Sequence, residues 1–248
     1  MKKWLSLCFW WASFLSHAQN LNYVGIIPTL SQTGRLHSRL TYNLFISETL
    51  DLFDNTTDGV YYPSKPLQLY IQPSLTWLYS PNWNFAGSVT YNYQRSNPDV
   101  PYFREIRPWE QAVYGHSLFG GRMTHRLRFE QRFIQNQVTE KWPMTTRLRY
   151  QIGFSIPLQG TTLDDGEFYF NCYTEYYFTL TVPEGTRRNA LYSEFWAYAG
   201  IGYQTKKYGR LEVGPLAQYN VRDIQHDLRN LYLLQIAWIT NFNFKKQE

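Results

Sequence analysis

Two segments of the chain, residues 124–134 and 145–156, alternate between apolar and charged or polar side chains. Side chains two positions apart lie on the same face of a β-strand. In the first segment the apolar face carries Leu127, Phe129 and Phe133, and the other carries Arg126, Arg128, Glu130 and Arg132. The second sets Leu148, Tyr150 and Ile152 against Arg147, Arg149 and Gln151. The pattern predicts two strands, each with one apolar face and one face rich in arginine.

The same period of two recurs in eight further segments, and no segment has the periodicity of an amphipathic helix. These segments are residues 36–47, 67–79, 83–94, 107–118, 167–180, 191–203, 210–221 and 230–244. Each is long enough for the roughly 9 to 11 residues with which a tilted strand crosses a bilayer.

The connections between these segments differ in length in a regular way. Residues 48–66 and 95–106 form long connections, whereas 80–82 and 119–123 form short ones. Bacterial outer-membrane barrels have long loops on the outside and short turns in the periplasm. One connection, 157–166, is longer than this rule predicts. We therefore predict an all-β fold, a transmembrane antiparallel up-and-down β-barrel of about ten strands, with eight or twelve as neighbouring possibilities.

The amino terminus has the features of an export signal. Lys2 and Lys3 precede an apolar stretch over residues 4–15, and Ser16-His17-Ala18 supplies small residues where a signal peptidase cleaves. We expect residues 1–18 to be a signal peptide removed before Gln19. The remaining divisions are an N-terminal periplasmic segment (19–35), the outer-membrane barrel (36–244) and a C-terminal tail (245–248).

Composition agrees with half-apolar strands rather than with membrane helices. Aromatic residues make up 19% of the chain, and no stretch after the amino terminus reaches the roughly 20 apolar residues of a spanning helix. The formal net charge is +5, but the arginines are spread over many strands, so nothing predicts nucleic-acid binding. The predicted partners are outer-membrane lipids, the barrel-assembly machinery and an unidentified small solute.

Charged residues on the predicted inner face are the first candidates for function. A narrow barrel fills its interior with side chains, and buried arginine and glutamate persist only when they are paired. We therefore predict a polar network in the lumen, with an anion-selective lumen as the alternative. Its residues are Arg126, Arg128, Glu130, Arg132, Arg147, Arg149, Glu175 and Glu212.

Aromatic residues near the predicted strand ends suggest the interfacial girdles of a membrane barrel. In a soluble protein the same residues would belong to a core or would stack on a ligand, so a secreted soluble β-sandwich that binds ligands stays open as an alternative. The residues are Trp77, Tyr79, Trp83, Trp142, Tyr208 and Trp238.

An outer-membrane lipid hydrolase is a second alternative, because barrel lipases place a histidine beside a serine nucleophile. His37-Ser38 and His116-Ser117 are the candidate pairs, but neighbours on a strand point to opposite faces. The acidic run 164–167 offers oxygen ligands for Ca²⁺, yet Asp-Asp-Gly is also a common turn sequence. We predict no catalytic residue, cofactor or metal site.

Several short motifs are similar to those of the DUF2490 family. They are Arg107-Pro-Trp-Glu-Gln111, the segment from His125 to Phe133, Arg147-Leu-Arg-Tyr150, and Gly209-Arg-Leu-Glu212 before a final aromatic strand. The resemblance covers most of residues 36–244 and implies a small outer-membrane barrel of Gram-negative bacteria, without an established activity. One departure is the tail 245–248 after Phe244, since barrel substrates of the assembly machinery usually end on an aromatic residue.

Overall fold

The structure is a computed structural model, which describes residues 20–57, 60–95, 101–182, 192–221 and 228–241. The regular secondary structure of these residues consists of β-strands, as the alternating side chains predict. The described residues contain no helix that is long and apolar enough to traverse a bilayer. The strands are β1 (Asn20–His37), β2 (Leu40–Asp51), β3 (Asn55–Thr57), β4 (Val60–Tyr62), β5 (Pro66–Leu78), β6 (Trp83–Gln94), β7 (Phe103–Leu118), β8 (Gly121–Ile134), β9 (Met144–Pro157), β10 (Phe168–Thr181), β11 (Tyr192–Thr205), β12 (Gly209–Val221) and β13 (Leu228–Asn241).

Eleven of these strands form one closed barrel in the order β1-β13-β12-β11-β10-β9-β8-β7-β6-β5-β2. Every pair is antiparallel except β1 and β13, which run parallel. An odd number of strands in an up-and-down barrel requires one parallel seam. The all-β barrel is confirmed, with eleven strands where about ten were predicted. The soluble β-sandwich is wrong, because the barrel is a single closed sheet.

The additional strand is β1, and it corrects the barrel boundary predicted at residue 36. β1 pairs with β2 on one side and with β13 on the other, so the barrel includes most of the segment 19–35. Its alternation is hidden because Tyr23 and Ile27, on the inner face, are apolar and buried, next to outward Val24 and Ile26. Pro28 further weakens the strand signal. The signal peptide 1–18 and the tail 245–248 lie outside the described residues.

The two ends of the barrel differ in the length of their connections. At one end, the short-turn end, strands are joined by residues 38–39, 79–82, 119–120 and 206–208, together with the longer connection 158–167. At the other, the long-loop end, the joining segments are 52–65, 95–102, 135–143, 182–191 and 222–227. The predicted alternation of connection lengths, with its exception between β9 and β10, therefore matches the fold.

The connection between β2 and β5 carries the small β3-β4 hairpin. The Tyr61 hydroxyl donates to Asp54 Oδ2 at 2.5 Å, and the Ser64 amide donates to Asp54 Oδ1 at 2.7 Å. These two hydrogen bonds hold the pKa of the Asp54 carboxyl below its usual value. The carboxylate therefore fixes this connection at neutral pH.

The interior beside β1 and β13 is filled by an apolar cluster in the half nearer the long-loop end. The cluster consists of Tyr23, Ile27, Leu67, Tyr198, Leu216, Leu231 and Leu233. Nearer the short-turn end, aromatic rings lie across glycines: a Cβ added to Gly202 would sit 2.1 Å from the ring of Tyr169, which is buried. The glycine is needed because its missing side chain makes room for the ring.

We predict that Gly202→Ala destabilises the barrel by about 1 to 3 kcal/mol, the usual cost of overpacking a buried position. The physical reason is that the new methyl group displaces the Tyr169 ring. The matched control is Gly87→Ala, whose added Cβ would meet only the Trp109 carbonyl oxygen at 3.6 Å. Urea unfolding of the refolded protein in detergent measures both. Equal effects of the two substitutions would contradict this packing.

Candidate functional site

Inward side chains of β7 to β10 form a network of ion pairs, hereafter the Arg–Glu network. Its cations are Arg107, Arg126, Arg128, Arg132, Arg147 and Arg149, and its anions are Glu105, Glu130, Glu175 and Glu194. The period of two places every second residue of each strand on the inside, so neighbouring strands bring these side chains together.

Glu130 is the centre of the Arg–Glu network and is completely buried. Arg147 Nη2 and Arg149 Nη1 each lie 2.7 Å from its carboxylate, while Arg107 and Arg128 follow at 3.8 and 3.9 Å. Four guanidinium groups around one carboxylate offset the desolvation of a charge removed from water.

Glu105 and Glu175 extend the Arg–Glu network in two directions. Glu105 accepts from Arg107 Nε at 2.8 Å and from Arg132 Nε at 2.6 Å. Glu175 accepts from Arg126 Nη2 at 2.6 Å and from Arg149 Nε at 2.8 Å. Arg149 thus joins Glu130 to Glu175, so the pairs form one connected unit rather than separate bridges.

The Arg128 guanidinium differs from its neighbours because amide oxygens take the place of a close carboxylate. It donates to Gln111 Oε1 at 2.8 and 2.9 Å and to Gln72 Oε1 at 3.2 Å. The guanidinium carbon lies 3.8 Å from the centre of the Trp109 ring, a distance at which the ring face attracts the cation. Polar and aromatic contacts together hold this buried charge.

Of the eight predicted lumen residues, seven meet in the Arg–Glu network and Glu212 does not. Glu212 is buried near the short-turn end, where the Asn171 amide lies 3.1 Å from both carboxylate oxygens. It makes none of the described ion pairs. Its place in the sequence pattern resembled that of Glu175, but its neighbours across the strands are not arginines.

Sequence reasoning missed Glu105, Arg107 and Glu194, as well as the ring of Tyr177, whose hydroxyl accepts from Arg149 Nη2 at 2.9 Å. Residues 107–118 were ambiguous in face because outward Pro108 and Glu110 are not typical of an apolar row. The alternation of Glu105, Arg107 and Trp109 with Ile106 was the available signal, but it begins before the predicted segment.

The interior at the short-turn end, hereafter the cup, contrasts with the buried Arg–Glu network. On the side of β10, β12 and β13 its interior is filled by Tyr169, Glu212 and Thr240, each of which is buried. Elsewhere its inward positions carry small or polar side chains, and most of them stay partly accessible to solvent. They include Thr33, Thr41, Asn43, Ser74, Thr76, Asn84, Ser88, Thr124, Gln151 and Ser155. The Arg–Glu network and the apolar cluster lie nearer the long-loop end of their strands, so the interior is filled on that side, whereas the cup is accessible where its inward side chains are small.

The two candidate histidine–serine pairs differ in geometry. His37 Nδ1 lies 3.1 Å from Ser38 Oγ, since Ser38 belongs to a turn; the expectation that strand geometry separates this pair is wrong. No described carboxylate hydrogen-bonds the His37 ring. His116 instead stacks on His125, with ring centres 5.6 Å apart. A base without an orienting partner lacks one component of a catalytic triad.

The acidic run near β10 acts as a turn. Asp165 Oδ1 accepts from the Lys206 amide at 2.6 Å, Glu167 Oε2 accepts from the Asp164 amide at 2.8 Å, and Gly166 has φ +82°. Within the described ranges, no group of three or more His, Cys, Asp and Glu side chains is placed to hold a metal ion.

The closed sheet defines the class of protein: it is a β-barrel, and its interior contains charged side chains. The chain belongs to the DUF2490 family, described as a protein of unknown function, which it matches over residues 29–229. No curated protein and no solved structure matches it.

We predict that Glu130→Gln destabilises the barrel by about 3 to 5 kcal/mol, because it leaves buried guanidinium groups without their central anion. The matched control is Glu140→Gln, at an exposed position in a connection of the long-loop end, which should change the free energy of unfolding by less than about 0.5 kcal/mol. Urea unfolding in detergent measures both. A Glu130→Gln variant as stable as the control would show that the Arg–Glu network does not support the fold.

Proposed function

We propose that the protein is an outer-membrane β-barrel of the bacterial envelope, non-enzymatic, whose interior is closed at the long-loop end, so that it binds solutes or supports envelope integrity rather than forming an open pore. The observation that carries the proposal is the outer wall of the barrel, where large apolar side chains are exposed in rows. Monomeric soluble proteins rarely expose apolar patches of more than a few hundred Å².

Apolar side chains are exposed on strands all around the outer wall of the barrel. Exposed apolar side chains include Leu75 (52%), Val89 (56%), Leu127 (48%), Leu211 (52%) and Leu234 (44%). All five point outward from different strands. The eleven barrel strands have 12 to 18 residues each, longer than the roughly 9 to 11 that a bilayer requires. Such a wall suits a hydrocarbon solvent.

The predicted girdle residues are all exposed, and they support the same environment. Trp77, Tyr79, Trp83, Tyr208 and Trp238 lie at or near the short-turn end, whereas Trp142 belongs to a connection of the long-loop end. Tryptophan and tyrosine favour the boundary between headgroups and acyl chains. The five residues at the short-turn end form one such band, and Trp142 lies where a second band is expected.

Glu110 is the polar exception within this wall. It is exposed in the middle of β7, next to outward Ala112, and Gly87 is its partner on β6. A carboxylate on the lipid face of a barrel costs less than an arginine or lysine. The wall can therefore tolerate it without a partner.

Closure of the interior rests on the Arg–Glu network and the apolar cluster. Tyr23, Leu67, Glu105, Glu130 and Tyr177 are each 0 to 1% exposed, and they lie on different sides of the barrel. Side chains that are inaccessible to water from either end leave no room for a continuous column of solvent. A narrow barrel with a filled interior is typical of the small outer-membrane barrels.

We predict that Leu148→Arg or Ile152→Arg blocks assembly into the membrane. Both residues face outward on β9, and an arginine near the bilayer midplane costs about 2 to 4 kcal/mol. The matched control is Leu148→Phe, which stays apolar. Heat-modifiable migration in gels of membrane fractions reports the folded barrel. Normal assembly of both arginine variants would contradict the outward assignment of this face.

We further predict that the purified protein gives no stable conductance steps in planar lipid bilayers, because the long-loop half of the interior is filled. An open porin reconstituted in the same way serves as the positive control. Reproducible channel openings by the wild-type protein would overturn the closed interior, while leaving the membrane location untouched.

A further inference from the structure

The Arg–Glu network carries more positive than negative charge. Its ion pairs join six arginines to four glutamates, an excess of two positive charges. Burying an uncompensated charge is costly, and proteins usually pair such groups. The excess therefore favours an anion wherever the network is accessible.

Solvent reaches the Arg–Glu network from the cup, and Arg126 is the arginine of the network that borders the cup. Its position on β8 is closer to the short-turn end than that of Arg128 or Arg132. Its side chain is 21% exposed, whereas the side chain of Arg128, two residues further along, is 5% exposed. Arg126 thus forms the innermost surface of the cup, hereafter its floor.

Arg126 has further hydrogen-bond donors besides the one that it gives to Glu175. Arg126 gives Nη2 to Glu175, but its Nε is buried and has no acceptor among the described residues. Gln151, its partner on β9, faces the same interior and carries no charge. Guanidinium groups bind carboxylate and phosphate through two parallel hydrogen bonds, and a small rotation of the side chain presents such a fork to the cup.

The rest of the cup fits a small polar guest. Its walls carry hydroxyl and amide groups from Asn43, Ser74, Thr76 and Thr124, and Arg122 and Arg210 add two cations on inward positions nearer the rim. Glu212, an acidic residue on an inward position of this half, is 3% exposed and accepts from the Asn171 side-chain amide, so little of its carboxylate reaches the solvent in the cup. The electrostatic potential inside such a concave site attracts anions.

We propose that the cup binds a small oxyanion, a carboxylate or a phosphate, that enters from the short-turn end and is held by Arg126. This inference rests on the solute binding of the proposed function and names the class of solute, but it does not depend on the membrane location, since it is argued from the interior alone.

Titration calorimetry of the refolded protein in detergent tests the site, with inorganic phosphate and succinate as separate probes at constant ionic strength. We expect saturable binding of at least one probe; phosphate alone would define a phosphate site and succinate alone a carboxylate site. Arg126→Gln should weaken that binding at least tenfold. The matched control is Arg132→Gln, an arginine of similar exposure (18%) at the opposite end of the network; it removes the same charge without touching the cup, and should weaken binding much less than Arg126→Gln does.

A second variant guards against misfolding of Arg126→Gln. Gln151→Glu places a carboxylate opposite Arg126, adds an acid to a network that lacks one, and should abolish binding while heat-modifiable migration persists. Binding of neither probe to the wild-type protein, or equal binding by the wild type and a folded Gln151→Glu variant, would overturn the proposal. Conductance and membrane assembly, measured separately, decide the closed interior and the membrane location whatever the calorimetry shows.

Discussion

The pairing of Glu130 with Arg147 and Arg149 is the interaction on which the interior of the barrel depends. The charge of a completely buried carboxylate must be balanced by cations in direct contact with it. The arginines of β9 reach Glu130 because β9 pairs with β8 in a register that places Arg147 opposite Glu130. Arg147 and Arg149 are two residues apart, so both point inward. One acidic residue on β8 thereby fixes the relative position of two strands, and a slip of one residue would turn every arginine outward.

Two kinds of packing share the space inside. On the side of β7 to β10, charged groups fill the interior and satisfy each other; on the side of β1 and β13, Tyr23, Leu231 and Leu233 fill it with apolar surface. The division has a simple cause. The arginines gather around three buried glutamates, whereas the apolar cluster contains no charged side chain and meets the Arg229 guanidinium at the Tyr23 ring, 5.3 Å from the ring centre. At the short-turn end the cup stays accessible beside β5 to β9, where the inward side chains are small, whereas the Tyr169 ring is buried beside β10.

Much of this arrangement could be predicted from the sequence wherever the two faces of a strand differ strongly. β8 and β9 are the best cases: Leu127 and Leu148 face outward and their arginine neighbours inward, as the period of two requires. β1 could not be recognised, since apolar residues occupy both of its faces. Glu212 shows a second limit, because alternation indicates which face a residue occupies but not which side chain lies opposite it. Which side chains lie opposite each other depends on the register between strands. The register places Asn171 beside Glu212 and Arg126 beside Glu175, and it is set only when the strands pair.

The parallel seam between β1 and β13 has a consequence for how the chain reaches its final form. Asn22 and Asn230 meet across this seam, 208 positions apart in the chain, whereas most other strand pairs are joined by a turn or a loop. Bringing such distant partners together carries the largest loss of chain entropy in the molecule, and contacts of this kind slow folding. We expect the hairpins to form first and the seam to close last, so that the rate of closure depends on residues 20–33 more than on any turn.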